Sequence, residues 1–395
     1  MGLNDTPSSE RIHIGFFGKR NAGKSSLMNR VTGQEISIVS EIKGTTTDPV
    51  TKAMELLPLG PVVMIDTPGL DDNSELGDKR VSRTMRMLDK IDIAVLVVSA
   101  LEGISPEDQE LINIFQNRKV PYIIAYNKSD LRHGAGAASS NSIFVSALTG
   151  ENVTELKEMI ASFGKGLQTK SFLVSDLLSD GDMVVLVVPI DESAPKGRLI
   201  LPQQQVMRDI LDRGCSFACC QPSELSLTLN SLARPPRLVI TDSQAFEEVA
   251  AIVPSEVDLT SFSILMARYK GDLDLLTGGA RKLSELKTGD RVLIAEGCTH
   301  HRQCNDIGTV KLPNMIRKYT GAEPQFSFMS GGDFPGDLSS YDLIVHCGAC
   351  MLNAKEMDHR LSLAVEQGVP LVNYGVAIAQ MKGILERSLK PLKGE

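Results

Sequence analysis

Five short runs of mostly apolar residues punctuate the first part of the chain: Ile12–Phe17, Val62–Asp66, Ile93–Ser99, Tyr122–Tyr126 and Ile143–Val145. They are continuous rather than alternating, so they predict strands covered on both faces, with helical stretches between them. Residues from Arg11 to about Gly164 therefore predict a mostly parallel α/β sheet, and Gly164–Gln168 reads as a linker. A second α/β pattern starts near Ser171, with strands predicted at Met183–Val188, Ser216–Cys219 and Arg237–Thr241 and a helix over Gln203–Arg213. The segment Leu265–Gly278 fits neither periodicity. A third set of strands is predicted at Arg291–Ala295, Gln325–Met329, Asp342–His346 and Pro370–Asn373, with a helix over Asn353–Gln367. The fold class is α/β throughout, in three domains over 1–168, 169–262 and 263–395.

Composition narrows the classes. The 395 residues carry a net charge of −8, no Trp and only 5% aromatic side chains, which disfavours a nucleic-acid surface built on basic charge and base stacking. The longest apolar runs are too short to span a bilayer, and no secretory leader is expected, because no Lys or Arg lies in the first ten residues and no apolar stretch follows. Seven scattered cysteines do not make a disulfide framework, so the expected compartment is reducing and cytoplasmic.

The string Gly18-Lys19-Arg20-Asn21-Ala22-Gly23-Lys24-Ser25-Ser26 follows a predicted strand and opens a helix. That is the context of a phosphate-binding loop: curled backbone points N–H groups at phosphate oxygens, and the helix N-terminus adds partial positive charge. Lys24 is expected to reach the β- and γ-phosphates and Ser25 to ligate magnesium. One of Thr45, Thr46 and Thr47 is expected on magnesium and the γ-phosphate. Asp66, before Thr67-Pro68-Gly69, is expected to hold magnesium through water, with the Gly69 amide sensing the γ-phosphate. Asn127-Lys128-Ser129-Asp130 ends the next strand. The Asp130 carboxylate can accept from guanine N1–H and the N2 amino group, a donor pair that adenine lacks. Ser146-Ala147-Leu148 is expected to close over guanine O6.

These elements occur in order, each at a strand end, and predict a GTPase domain. Asn21 and Gly44-Thr45-Thr46-Thr47-Asp48 make it resemble the translation-factor-like GTPases, within them the tRNA-modification-GTPase-like and Era-like group. Leu70 stands where a Ras-like enzyme has the glutamine that orients water, so slow hydrolysis is expected. Asn21 occupies the position that ligates potassium in related potassium-activated enzymes, which makes potassium stimulation an expectation.

A second chemical signal lies near the carboxyl end. Cys298-Thr299-His300-His301 follows one predicted strand and His346-Cys347-Gly348-Ala349-Cys350 another, both at the sheet edge where α/β proteins bind ligands. Cysteine-x-x-cysteine spacing can bring Cys347 and Cys350 to one metal, with Cys298, His300 and His346 as further candidates and His301 ranked behind them. Thiolates suit zinc or an iron–sulfur cluster, and spacing alone does not choose. Cys215, Cys219 and Cys220 read as buried small apolar residues, and Cys304 lies outside the repeated pattern. His13 reads as structural.

An amino-terminal GTPase followed by Cys298-x-His300 and His346-Cys347-x-x-Cys350 closely resembles the [FeFe]-hydrogenase maturation GTPase family (HydF), over essentially the whole chain. The resemblance implies a GTP-binding domain over 1–168, a dimerisation domain over 169–262 and an iron–sulfur domain over 263–395, with a [4Fe-4S] cluster on Cys298, Cys347 and Cys350. It further implies a scaffold that receives a di-iron subcluster precursor made with two radical-SAM maturases and delivers it to apo-[FeFe]-hydrogenase, as a homodimer or higher assembly. The competing expectations are a tRNA-modification-type GTPase and a GTPase switch with a structural zinc domain. The acidic balance disfavours the first, as does the stretch Leu389–Glu395, which has no cysteine-containing tail motif.

Overall fold

The computed structural model describes residues 7–33, 50–67, 84–132, 139–166, 172–190, 199–297, 306–332 and 334–393. It divides into two compact units, residues 1–170 and 171–395.

The first unit is built on six strands: β1 Ile12–Phe17, β2 Val50–Leu56, β3 Gly60–Asp66, β4 Ile93–Ser99, β5 Tyr122–Asn127 and β6 Ser142–Phe144. Their order is β2-β3-β1-β4-β5-β6, and only β2 runs antiparallel. Alternate residues feed two cores. Ile14, Phe16, Val62, Met64, Val95 and Val97 enter one, and Phe17, Val63, Ile65, Leu96 and Val98 enter the other. Every residue of β4 is buried, which accounts for its unbroken apolar run. The strand β2 escapes the apolar-run signal because it is an edge strand in which Thr51, Lys52 and Glu55 interrupt the apolar positions.

The second unit holds two all-parallel sheets. One comprises β7 Met183–Val187, β8 Ser216–Cys220, β9 Leu238–Thr241 and β10 Asp258–Ser261, in the order β10-β9-β7-β8. The other comprises β11 Arg291–Glu296, β12 Gln325–Ser330, β13 Leu343–His346 and β14 Leu371–Asn373, in the order β12-β11-β13-β14. Val185, Val187 and Val239 join a continuous core with Leu293, Ile344 and Val372 of the other sheet.

The segment that fits neither periodicity is two helices, Phe262–Lys270 and Leu273–Leu283. Gly271 is extended, and Asp272 caps the second helix by accepting from the Leu275 amide at 3.0 Å. The first helix is buried on two sides. Phe262, Leu265 and Met266 pack with Val206 and Ile210, whereas Ile264 and Ala267 enter the core shared by both sheets. Such two-sided burial removes the 3.6-residue polar stripe that marks an amphipathic helix.

Candidate functional site

The phosphate loop joins β1 to a helix over Lys24–Thr32. Gly18 and Gly23 both have positive φ, +134° and +89°. A Cβ at Gly18 would lie 2.2 Å from the Val97 carbonyl oxygen, and one at Gly23 would lie 2.2 Å from Asn127 Nδ2. Glycine is required at both positions by conformation and by space. Asn21, also at positive φ, is exposed, as is Ser26, whereas Ala22 is buried. The buried Lys24 ammonium donates to the carbonyls of Gly18 at 2.9 Å and Lys19 at 3.1 Å, which keeps it inside the curl of the loop. The Lys19 side chain is bonded to Glu107 at 2.8 Å, and that hydrogen bond holds the Glu107 carboxyl down at about 2.

Ser25 and Asp66, both predicted to serve magnesium, are brought together: the Ser25 hydroxyl donates to Asp66 Oδ2 at 2.5 Å. Their elements meet because β1 and β3 pair in parallel with Phe16 opposite Asp66. Thr67 secures the turn, its hydroxyl donating to the Phe16 carbonyl at 2.6 Å.

The base-reading residues converge on the other side of the loop. Asn127 is 2% exposed and clamps two segments at once, its Nδ2 donating to the Ala22 carbonyl and its Oδ1 accepting from the Ala147 amide, both at 3.0 Å. The Ala147 amide expected over guanine O6 is thus held by Asn127. Lys128 adopts a positive φ of +67° and turns the chain so that the exposed Asp130 carboxylate accepts from the Ser146 hydroxyl. Thr45, Thr46, Thr47, Gly69 and Leu70 lie outside the described residues.

The cysteine loop of the second unit leaves the end of β13. Cys347 Sγ accepts two backbone N–H groups, from Gly297 at 3.1 Å and from Ala349 at 3.4 Å. Such donors favour a thiolate. Burial pushes the Cys350 thiol up, and the Lys270 ammonium opposes that shift. Lys270 ends the helix Phe262–Lys270 and is 5% exposed, with Nζ on the carbonyls of Leu352 at 2.8 Å, Cys350 at 3.3 Å and Ala349 at 3.5 Å.

His346 differs from the expectation that it is a ligand. Its Nδ1 faces the Cys347 carbonyl at 2.9 Å and its Nε2 faces Arg360 Nη1 at 3.0 Å. Arginine only donates, so Nε2 is the acceptor and Nδ1 carries the proton. Both nitrogens are engaged within the protein, and burial beside Arg360 lowers the imidazole to about 3. Arg360 also donates to the Gly331 carbonyl and Glu356 Oε1, each at 2.8 Å, and lies over the Phe334 ring. Only the i,i+4 spacing of Arg360 with Glu356 is a local signal; His346 and Gly331 lie 14 and 29 residues from Arg360, and the carbonyls that Lys270 meets lie about 80 residues on. Cys298, His300, His301 and Cys304 lie outside the described residues. Among the described residues, no group of three His, Cys, Asp or Glu is placed to hold a metal. Cys215 and Cys220 are buried as expected, but Cys219 is exposed, because β8 is an edge strand. His13 is structural, its amide donating to Asp92 and its ring nitrogen facing the Arg11 carbonyl.

Comparison with known families agrees with this division. Residues 13–128 match a family model described as 50S ribosome-binding GTPase, so the amino-terminal unit carries a GTPase domain. Residues 173–271 match the hydrogen maturase F dimerization domain, and residues 274–391 match its tetramerization domain. The chain belongs to the hydrogen maturase F family. Its fold is that of a GTPase domain with a largely parallel sheet followed by the two α/β domains of hydrogen maturase F, both of them self-association domains by description. Among curated proteins, the GTPase Der of Kosmotoga olearia is 36% identical over 170 residues, covering 38% of each chain. That of Clostridium tetani is 33% identical over 207 residues, covering 46% of this chain and 47% of its own. The chain thus spans about half the length of the curated relatives it matches. Similar solved structures include the probable GTP-binding protein engB (23% identity, TM-score 0.32, 39% of this chain and 99% of that one). The G domain of the T. maritima FeoB iron transporter is another (25% identity, TM-score 0.30, 39% and 99%). Among the described residues no helix is long and apolar enough to cross a membrane.

Proposed function

We propose that this member of the hydrogen maturase F family is a slow GTPase and an iron–sulfur scaffold that assembles or delivers a di-iron subcluster precursor to apo-[FeFe]-hydrogenase. One observation carries the reading: in a chain with a GTPase domain, a cysteine-x-x-cysteine loop presents Cys347 Sγ to two amide donors. That donor set fits a thiolate-bound metal. Cys347, Cys350 and Cys298 would hold a [4Fe-4S] cluster, which when bound supplies an iron position open to an exchangeable ligand. His346 is set against a ligand role by its two hydrogen bonds, and His300 remains as the histidine candidate.

In the GTPase domain Ser25 and Asp66 would share magnesium, Lys24 would reach the phosphates, and Asp130 would select guanine. Asn21 would bind potassium, whose charge offsets that developing on the phosphates. Thr47 and Gly69 would read the γ-phosphate and pass its presence to partner docking. The partners are the apo-hydrogenase and two radical-SAM maturases, the working form is a homodimer or larger, and the compartment is cytoplasmic.

Anaerobic purification, iron and sulfide analysis, and EPR of the reduced protein test the cluster, wild type beside Cys298→Ala. Iron and sulfide in equal amounts, lost in the variant, support the reading; a colourless protein with one zinc overturns it. The coupling fails if Lys24→Ala loses nucleotide yet binds and releases partners as wild type does with GTP present.

A further inference from the structure

Four carbonyls of the loop Cys347–Leu352 have side-chain partners. The Cys347 carbonyl faces the His346 ring, and the carbonyls of Ala349, Cys350 and Leu352 converge on one ammonium, that of Lys270. The amides of Ala349 and Gly297 point instead at Cys347 Sγ. Three carbonyl oxygens brought together in a buried place repel one another unless a donor sits among them, and an ammonium offers three N–H directions. The loop also holds Ala349 at a φ of +54°, a conformation that alanine adopts only when its surroundings impose it.

Lys270 is rooted outside this domain. It closes a helix that lies within the region matched to the dimerization domain, whereas the loop lies within the region matched to the tetramerization domain. The helix is anchored on both sides by its two cores, and Asn373 Nδ2 donates to the Ser263 carbonyl at its start, at 2.9 Å. The position of the ammonium is therefore fixed by packing.

We propose that Lys270 is the positioning residue of the cysteine loop: it gathers the carbonyls of Ala349, Cys350 and Leu352, which holds the turn that leaves the Ala349 amide on Cys347 Sγ, and it supplies a fixed positive charge close to thiolates that bind metal. The inference deepens the cluster reading and rests on it for the role of the charge, but the effect on the loop itself does not depend on any metal.

The test uses the full-length protein in its native assembly, first without metal. Hydrogen exchange of the peptide covering residues 347–353 is compared among wild type, Lys270→Met, which keeps the aliphatic stem and removes every donor, and Lys270→Arg, which keeps charge and donors. Exchange in that peptide is expected to accelerate at least about tenfold in Lys270→Met, with peptides from β9 and β11 unchanged, and to return toward wild type in Lys270→Arg. Reconstituted Lys270→Met is also expected to lose iron to a chelator several-fold faster than wild type. Unchanged exchange in Lys270→Met overturns the proposal, as does acceleration spread evenly over the whole unit. Should Lys270→Met not fold, Lys270→Gln, which keeps a neutral donor, takes its place with an intermediate acceleration expected and the same overturning results. A wild-type protein that takes up zinc and no iron overturns the cluster reading while leaving the exchange result to decide the positioning role.

Discussion

Arg360 donates to His346 Nε2 across 3.0 Å, and this contact fixes which imidazole nitrogen carries the proton beside the cysteine loop. Arg360 is 1% exposed and its Glu356 partner is buried as well. Arg360→Met therefore strands a buried carboxylate and is expected to lower unfolding free energy by about 3–5 kcal/mol. Arg360→Lys should recover less than half of that, because an ammonium cannot serve His346, Gly331 and Glu356 in the fork geometry of guanidinium. Denaturant unfolding of the metal-free protein, followed by circular dichroism, measures both; a loss below about 1 kcal/mol for Arg360→Met would contradict the network.

Asn127 ties the phosphate loop to the base-reading loop through two hydrogen bonds, one buried and one partly buried. Asn127→Ala should weaken GDP and GTP alike, by roughly 10- to 100-fold, because both loops loosen regardless of the γ-phosphate. Titration with a fluorescent guanine nucleotide reads this, and a selective loss of GTP alone would point to another role.

Three glycines with positive φ make a graded comparison. A Cβ at Gly18 or Gly23 meets an atom at 2.2 Å, whereas one at Gly33 meets nothing within 4 Å. Gly33→Ala should therefore cost only the backbone strain, about 1–2 kcal/mol, and keep nucleotide binding. Gly18→Ala and Gly23→Ala should abolish binding. Equal effects at all three positions would show that space is not the deciding constraint.

Asp130→Asn exchanges an acceptor pair for an acceptor and a donor. Guanine affinity should fall by about 100-fold or more, and xanthine nucleotides, with an oxygen at C2, should bind the variant better than wild type. Competition of GTP and XTP for the same labelled nucleotide decides the matter.

If Asn21 holds a monovalent cation, GTP turnover should rise several-fold when sodium is replaced by potassium, and Asn21→Ala should erase the difference without abolishing GTP binding. Turnover that is the same in both salts sinks the idea.

Much of this arrangement was legible in the chain. The apolar runs located most of the strands to within a residue or two, because strands covered on both faces leave an unbroken signature. The signature fails at β2 and β10, and in the helix Phe262–Lys270, whose burial on two sides hides its period. In the candidate sites, loop glycines and short motifs named the residues, since their partners lie close in sequence or at strand ends. What they could not show is how distant side chains are spent. His346 looked like a ligand by proximity, yet Arg360, on the helix Ala354–Glu366 that follows β13, takes its second nitrogen. Lys270 lies in the stretch that fits neither periodicity, and only the fold carries it to a loop about 80 residues on.

The helix Phe262–Lys270 also bears on how these proteins can be taken apart. With Ile264 and Ala267 in one core and Phe262, Leu265 and Met266 in the other, it has no face to give to solvent. A cut just past Lys270 strips the cover from one side of it, and a cut before Phe262 leaves the remaining piece of the middle sheet without its lid. The two carboxy-terminal domains are recognisable as separate patterns in sequence, but they share one core within a single compact unit, so a truncation or graft that keeps them as a pair keeps that core whole.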